Sequence, residues 1–174
     1  MDPVTTEPLS EAMNPFNSSV HPEIFPTHTF DDAPVPDVLL VPGGLGTRAP
    51  SLNHIIDYIG VAYPKFKYLI TVCADATWAG RAGVLDGKQA TMNKASWNST
   101  ITWCPEVNRC HMPGGLSMAM CTSSGISARI DATVAFIKHP YGTDTTRVTK
   151  LMEYERREYP NWDPFSEIFH VPGA

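Results

Sequence analysis

The sequence has little positive charge, and the charge that it has is scattered along the chain. Eighteen acidic residues outnumber 13 lysines and arginines, which gives a formal net charge of −5. Because nucleic-acid binding depends on clustered lysine and arginine side chains that neutralise phosphates, this balance argues against a nucleic-acid partner. No apolar run approaches the roughly 18 residues that a membrane-spanning helix needs. We therefore expect neither nucleic acid nor a membrane among the partners.

Residues 1–36 lack the basic stretch and the apolar core of a signal peptide. They hold seven of the 16 prolines and show almost no hydrophobic periodicity. Such a composition predicts extended, irregular chain. We expect an irregular N-terminal segment over residues 1–36, one α/β domain over residues 37–174, and a cytoplasmic location.

Cysteine is sparse, and its spacing fits no metal site. No CxxC pair occurs, and the nearest two of the four cysteines are six positions apart. In a reducing compartment we expect free thiols, most of which pack as small buried apolar side chains, and no bound metal. The four are Cys73, Cys104, Cys110 and Cys121.

Two continuous apolar runs predict strands buried on both faces. "DVLLVPGG" (37–44) and "KYLITVC" (67–73) have this pattern, which is typical of parallel sheets. Each is followed by a stretch with helical character, "SLNHIIDYIGVAYPKF" (51–66) and "ADATWAGRAGVL" (74–85). The strand–helix–strand–helix order predicts an α/β fold whose parallel sheet is covered by helices on both faces.

The second half of the sequence predicts further strands and helices. "ITWC" (101–104) and "LSMAMCTS" (116–123) are typical of strands, and "SGISARIDATVAFI" (124–137) is typical of a helix. The stretch "TDTTRVTKLMEYERREY" (143–159) predicts a last helix, and its "EYERRE" run (153–158) predicts a solvated helix face with local ion pairs.

Cys73 occupies the junction between a predicted strand and the following predicted helix. In open parallel sheets the ligand crevice lies at the carboxyl ends of the strands, and a sharp strand-to-helix turn lifts a side chain into it. The amides of Ala74 and Asp75 and the helix dipole would favour a negative charge on the sulfur. A nucleophilic thiolate and a buried structural cysteine both remain open on this pattern alone.

Four motifs in order resemble the PfpI/ThiJ superfamily, which has the class I glutamine amidotransferase-like fold, and within it the fungal isocyanide hydratase-like branch. They are "DVLLVPGGLGTR", "LITVCADATWAGRAGVLDGKQATMNKASW", "TSSGISARIDATVAFI" and "MEYERREYPNWDPF", and the resemblance covers nearly all of residues 31–165. It implies a three-layer α/β sandwich with a mostly parallel sheet, a nucleophile elbow at Cys73, a homodimer, and no metal or organic cofactor.

The resemblance also implies a set of catalytic backbone groups around Cys73. By analogy, the N–H groups of Gly43 and Gly44, together with Ala74 after the nucleophile, would face a developing negative charge as an oxyanion hole does. For the two glycines, a turn that merely ends a strand is the alternative.

Four further residues are expected to line the substrate crevice. They are Asp75, Asn93, Ser123 and Ser124. Asn93 stands where many relatives have histidine, and an asparagine cannot shuttle a proton at neutral pH. For the two serines, capping of the following helix is the alternative.

The chain departs from the family pattern at its beginning. The family's first strand, which leads to an acidic residue beside the nucleophile, is missing, and residues 1–36 hold only a remnant of the first helix. Val4 then stands in the place of the acid, which leaves Asp2, Glu7 and Glu11 as possible substitutes. We expect the sheet to lack its first strand.

The function that the resemblance implies is isocyanide hydration. A Cys73 thiolate would attack a small electrophile, an isocyanide, and release an N-formamide, in a setting such as fungal secondary metabolism. Two alternatives remain: a catalytically degenerate relative that acts as a stress or redox sensor or a binding protein, and a glyoxalase-III-like enzyme. A carboxylate within hydrogen-bond reach of Cys73 would distinguish an enzyme from a degenerate relative.

Overall fold

The computed structural model describes residues 26–44, 52–110, 114–117, 120–141, 145–157 and 163–172. Strands and helices alternate along the first half of the chain, as the apolar runs predict. The strands are β1 (Val38–Val41), β2 (Tyr68–Val72), β3 (Gln89–Ala90), β4 (Asn108–Arg109), β5 (Gly114–Ser117) and β6 (Met120–Ser123). The helices are α1 (Asn53–Ala62), α2 (Ala76–Arg81), α3 (Trp97–Trp103), α4 (Ile126–Tyr141), α5 (Thr145–Leu151) and α6 (Pro164–Ile168).

Four strands form the main sheet in the order β1-β2-β6-β5. β1, β2 and β6 are parallel, whereas β5 is antiparallel to β6. The register pairs Val41 with Thr71, and Val72 with Ser123, so three strands end together at one edge of the sheet. β3 and β4 form a separate parallel pair.

Helices cover both faces of this sheet. On one face Leu69 of β2 packs with Ile56 and Ile59 of α1 in the larger apolar cluster. On the other face Ile70, the next residue of β2, packs with Phe136 of α4 in a second cluster. Because adjacent strand residues point to opposite faces, one apolar run supplies both cores. The predicted three-layer sandwich with a mostly parallel sheet is confirmed.

The predicted strand over residues 101–104 is wrong, because these residues lie in and directly after helix α3. The β-branched residues of "TITW" favour a strand locally, but tertiary contacts override that preference. Thr100 is buried, and its hydroxyl donates to the carbonyl of Ser96 over 2.8 Å. At the other end, the Arg109 guanidinium donates to the carbonyls of Thr100 and Cys104 and so satisfies the helix terminus.

The predicted last helix over residues 143–159 is also shorter than expected. α5 ends at Leu151, and Glu153 adopts a left-handed conformation with φ of 49°, which terminates the helix. Residues 154–157 are not helical and lie beside α4. The N–H of Arg157 donates to Asp131 Oδ1 in α4 over 3.1 Å. The "EYERRE" run is therefore not a helix face in its described part, 153–157.

β1 is the outer strand of the described sheet, and in the described part of the chain no strand precedes it. Leu40 of β1 is 51% exposed. Residues 26–36 form no regular strand or helix, and the ring of Phe30 stacks on that of Tyr58 in α1 at a centroid distance of 4.6 Å. Across the described ranges, no helix combines the length and the apolarity that crossing a membrane requires.

Candidate active site

Cys73 follows β2 directly and adopts a left-handed backbone conformation with φ of 62°. For a residue with a β-carbon this conformation is uncommon and costs about 1–3 kcal/mol, so the surrounding structure must hold it in place. A short 3₁₀ turn, Cys73–Asp75, leads into α2, and the side chain of Cys73 is half-buried. Strained strand-to-helix turns of this kind present nucleophiles in several enzyme folds.

Gly43 lies against Cys73 at the end of the neighbouring strand β1. A β-carbon added to Gly43 would sit 2.7 Å from the Cys73 β-carbon and 2.7 Å from the carbonyl oxygen of Val72. Only glycine permits this approach without displacing the backbone. Gly44, in contrast, would place a β-carbon in open space, with nothing within 4 Å.

Asn93 connects the Cys73 turn to the end of β6. Its backbone N–H donates to the carbonyl of Cys73 over 3.2 Å, and its side-chain amide donates to the carbonyl of Ser124 over 3.3 Å. Its side-chain oxygen accepts from the N–H of Ala95 over 3.0 Å. Both ends of the side-chain amide therefore hold backbone groups, which favours a positioning role over direct contact with a substrate.

Ser123 and Ser124 are buried at the carboxyl end of β6, beside Cys73. Ser123 pairs with Val72, the residue before Cys73, and its hydroxyl lies 3.5 Å from the carbonyl of Thr71. Ser124 contributes its carbonyl to the contact with Asn93. Both serines therefore lie at the carboxyl end of the parallel strands, where the crevice is predicted.

The remaining predicted site residues lie in the turn or outside the described chain. Ala74 is half-buried in the 3₁₀ turn, and its carbonyl accepts from the N–H of Ala76. Asp75 shares that turn, but its side chain lies outside the described part. The possible acids near the N-terminus, Asp2, Glu7 and Glu11, also lie outside the described residues. Among the described side chains, no carboxylate forms a hydrogen bond to the Cys73 thiol.

A buried ion pair beside this site was missed by the sequence reasoning. Lys94 Nζ lies 3.3 Å from Asp163 Oδ2, and each side chain is 2% exposed. The Lys94 ammonium also donates to Thr91 Oγ1 over 2.8 Å and lies 5.1 Å from the centre of the Trp97 ring. Burial lowers the pKa of Lys94, and the Asp163 carboxylate opposes that shift. No local sequence pattern joins two residues so far apart.

The other cysteines differ from Cys73 in burial and partners. Cys104 is buried, its thiol donates to the carbonyl of Thr77 over 3.4 Å, and burial raises its pKa. Burial also raises the pKa of Cys121 to about 11. Cys110 is half-buried. Within the described residues, no three histidine, cysteine or acidic side chains are grouped so that they could hold a metal ion.

Comparisons with known proteins relate this chain to one hydratase and to a broad structural group. It is 34% identical over 145 residues to isonitrile hydratase from Pseudomonas putida, an alignment that covers 80% of this chain and 61% of that relative. The chain thus spans about three fifths of the length of the curated relative. No protein-family profile matches the chain.

Solved structures with low sequence identity share the fold. A ThiJ/PfpI family protein from Pseudomonas syringae aligns with a TM-score of 0.65 at 23% identity, over 77% of this chain and 56% of that structure. Drosophila melanogaster DJ-1beta aligns with a TM-score of 0.58 at 18% identity, over 72% of this chain and 67% of that structure.

The structure is a mostly parallel α/β sandwich with a strained cysteine at a strand-to-helix turn, which is the arrangement that the motif resemblance implies. Together with the alignment to the hydratase and the shared fold, it identifies the family that the four motifs indicate. The chain belongs to the PfpI/ThiJ superfamily.

Proposed function

We propose that this protein is an isocyanide hydratase-like enzyme that converts an isocyanide to an N-formamide through the Cys73 thiolate. The observation that carries the proposal is the left-handed conformation of Cys73 at the end of β2, with the backbone of Gly43 packed against it. The 34% identity to isonitrile hydratase supports the choice of reaction.

In the first step, the Cys73 sulfur attacks the terminal carbon of the isocyanide. A carbon–sulfur bond forms, one carbon–nitrogen π bond becomes a lone pair, and a proton added at carbon gives a thioimidate. By analogy with an oxyanion hole, the backbone N–H groups of Gly43, Gly44 and Ala74 would face the negative charge that develops.

In the second step, water adds to the thioimidate carbon. The tetrahedral intermediate then expels the Cys73 sulfur, and the nitrogen takes a proton, so that the product is an N-formyl amine. The net change is addition of one water to one isocyanide, and no electrons are exchanged with a cofactor. Protons come from solvent or from a carboxylic acid such as Asp2 or Glu7.

The predicted lining residues take different parts in this proposal. Ser123 and Ser124 form the wall at the end of β6, and Asn93 holds the Cys73 turn. Asp75 belongs to the same 3₁₀ turn as the nucleophile. We also propose a cytoplasmic homodimer, which is supported by β1 as the outer strand of the described sheet and by its exposed Leu40.

The test is formamide production from an aryl isocyanide, followed by mass spectrometry. The protein is compared with Cys73→Ser and with a matched control, Cys110→Ser, which changes another half-buried thiol. We expect formamide from the protein and from Cys110→Ser, but only the background rate from Cys73→Ser.

Methylglyoxal serves as a competing substrate in the same experiment. Lactate without formamide would indicate a glyoxalase-III-like enzyme instead. Background rates for every variant on both substrates would favour a degenerate relative with a sensing or binding role.

A further inference from the structure

The buried ion pair between Lys94 and Asp163 joins the C-terminal helix α6 to the loop beside Cys73. Asp163 is held by more than this lysine. The N–H of Phe165 donates to Asp163 Oδ1 over 3.0 Å, and the hydroxyl of Ser166 donates to Oδ2 over 3.1 Å. These two hydrogen bonds hold the Asp163 carboxylate independently of Lys94, so the carboxylate can serve as an anchor for the lysine.

The loop that carries Lys94, residues 91–96, is fastened to the rest of the fold at separate points. The N–H of Thr91 donates to Thr122 Oγ1 in β6 over 3.0 Å. Lys94 then binds Asp163 and Thr91. Asn93 lies between Thr91 and Lys94 in the chain, so its position depends on both attachment points.

Asn93 in turn holds the strained backbone of Cys73. Its N–H donates to the Cys73 carbonyl, while its side chain binds the carbonyl of Ser124. A left-handed cysteine returns to an ordinary conformation unless its surroundings prevent this. A shift of Asn93 would therefore let Cys73 relax and would move its thiol.

We propose that Lys94 and Asp163 are positioning residues for Cys73. Neither is placed to touch a substrate. Their buried ion pair sets the position of Asn93, and Asn93 keeps the Cys73 turn in its reactive conformation. The inference rests on the proposed function for its kinetic readout, whereas a second readout, hydrogen exchange, is independent of that function.

The first variant is Asp163→Asn, which removes the anchor and keeps the size of the side chain. We expect amide exchange at Asn93 to accelerate about tenfold more than at Ile70 in the central strand β2, because only the loop is released. We also expect kcat for isocyanide hydration to fall about tenfold or more, with KM changed by less than about threefold.

A matched control is available in the exposed ion pair between Lys67 and Asp37. Its atoms lie 2.6 Å apart, but the side chains are 71% and 73% exposed. Asp37→Asn should leave the Asn93 exchange rate and kcat at wild-type values. Equal acceleration at Asn93 and Ile70 in Asp163→Asn would show that the buried pair only stabilises the fold, and would overturn the inference.

A double variant, Lys94→Met with Asp163→Asn, keeps the test decisive if the single variant does not fold. It leaves no unpaired buried charge, so it should recover thermal stability. It does not restore the link to α6, and we expect exchange at Asn93 to remain fast and kcat to remain low. Recovery of both to wild-type values would contradict a positioning role. If the wild type does not hydrate isocyanides, the proposed function fails, and the exchange data alone decide the inference.

Discussion

Gly43 and Cys73, from adjacent strand ends, lie so close that a β-carbon on Gly43 would sit 2.7 Å from that of Cys73. Gly43→Ala should therefore displace the Cys73 turn. We expect a loss of about 1–3 kcal/mol in the free energy of unfolding, typical of overpacking, and a marked fall in isocyanide hydration. Chemical denaturation and formamide assays measure the two effects.

Gly44→Ala is the control for the stability effect, since a β-carbon at Gly44 meets nothing within 4 Å. We expect its free energy of unfolding to stay within about 0.5 kcal/mol of wild type. An equal loss in both glycine variants would contradict the close approach of Gly43 to Cys73.

The strain at Cys73 predicts that glycine is more stable than alanine at this position. Glycine reaches φ of 62° without the penalty that a β-carbon imposes. We expect Cys73→Gly to unfold with a free energy about 1 kcal/mol higher than Cys73→Ala, while both are inactive. Asn98, an exposed position in α3, serves as the control. There we expect Asn98→Ala to have a higher free energy of unfolding than Asn98→Gly, because alanine is the better helix former.

The four thiols should react with iodoacetamide in an order set by their surroundings. We expect Cys73 to be labelled first at neutral pH, and Cys104 and Cys121 last, because burial raises the pKa values of these two thiols. Limited labelling with mass mapping gives the order. Earlier labelling of Cys110 than of Cys73 would argue against the nucleophile assignment.

The buried thiol of Cys121 should lower the free energy of unfolding at alkaline pH. Burial raises its pKa from 9.0 to about 11, so the folded state holds the thiol proton more tightly than the unfolded state. This contribution is fully present below pH 9 and is lost as pH rises through 11, about 3 kcal/mol in all. Between pH 8 and 11, Cys121→Ala should therefore lose less stability than the wild type in denaturation experiments, and parallel losses would contradict the prediction.

The strands and the position of Cys73 could be predicted because their signals are local. The apolar runs that become β1 and β2 are continuous, and the cysteine follows the second one directly. Helix α3 could not be predicted in this way, since Arg109 and burial of Thr100 stabilise it from outside the segment. The partners of Asn93 were also beyond the sequence, because the Cys73 and Ser124 carbonyls become neighbours only when the sheet has formed.

The pairing of Lys94 with Asp163 has a consequence for the order of events during synthesis. A growing chain that has just emerged beyond β6 already contains Cys73, Asn93 and Lys94, but the buried lysine has no counter-ion until residue 163 leaves the ribosome. Because unpaired charges resist burial, the loop cannot close over its final position before then. The nascent protein would therefore carry an unstrained thiol until residue 163 has emerged, and the reactive conformation would form only after that point.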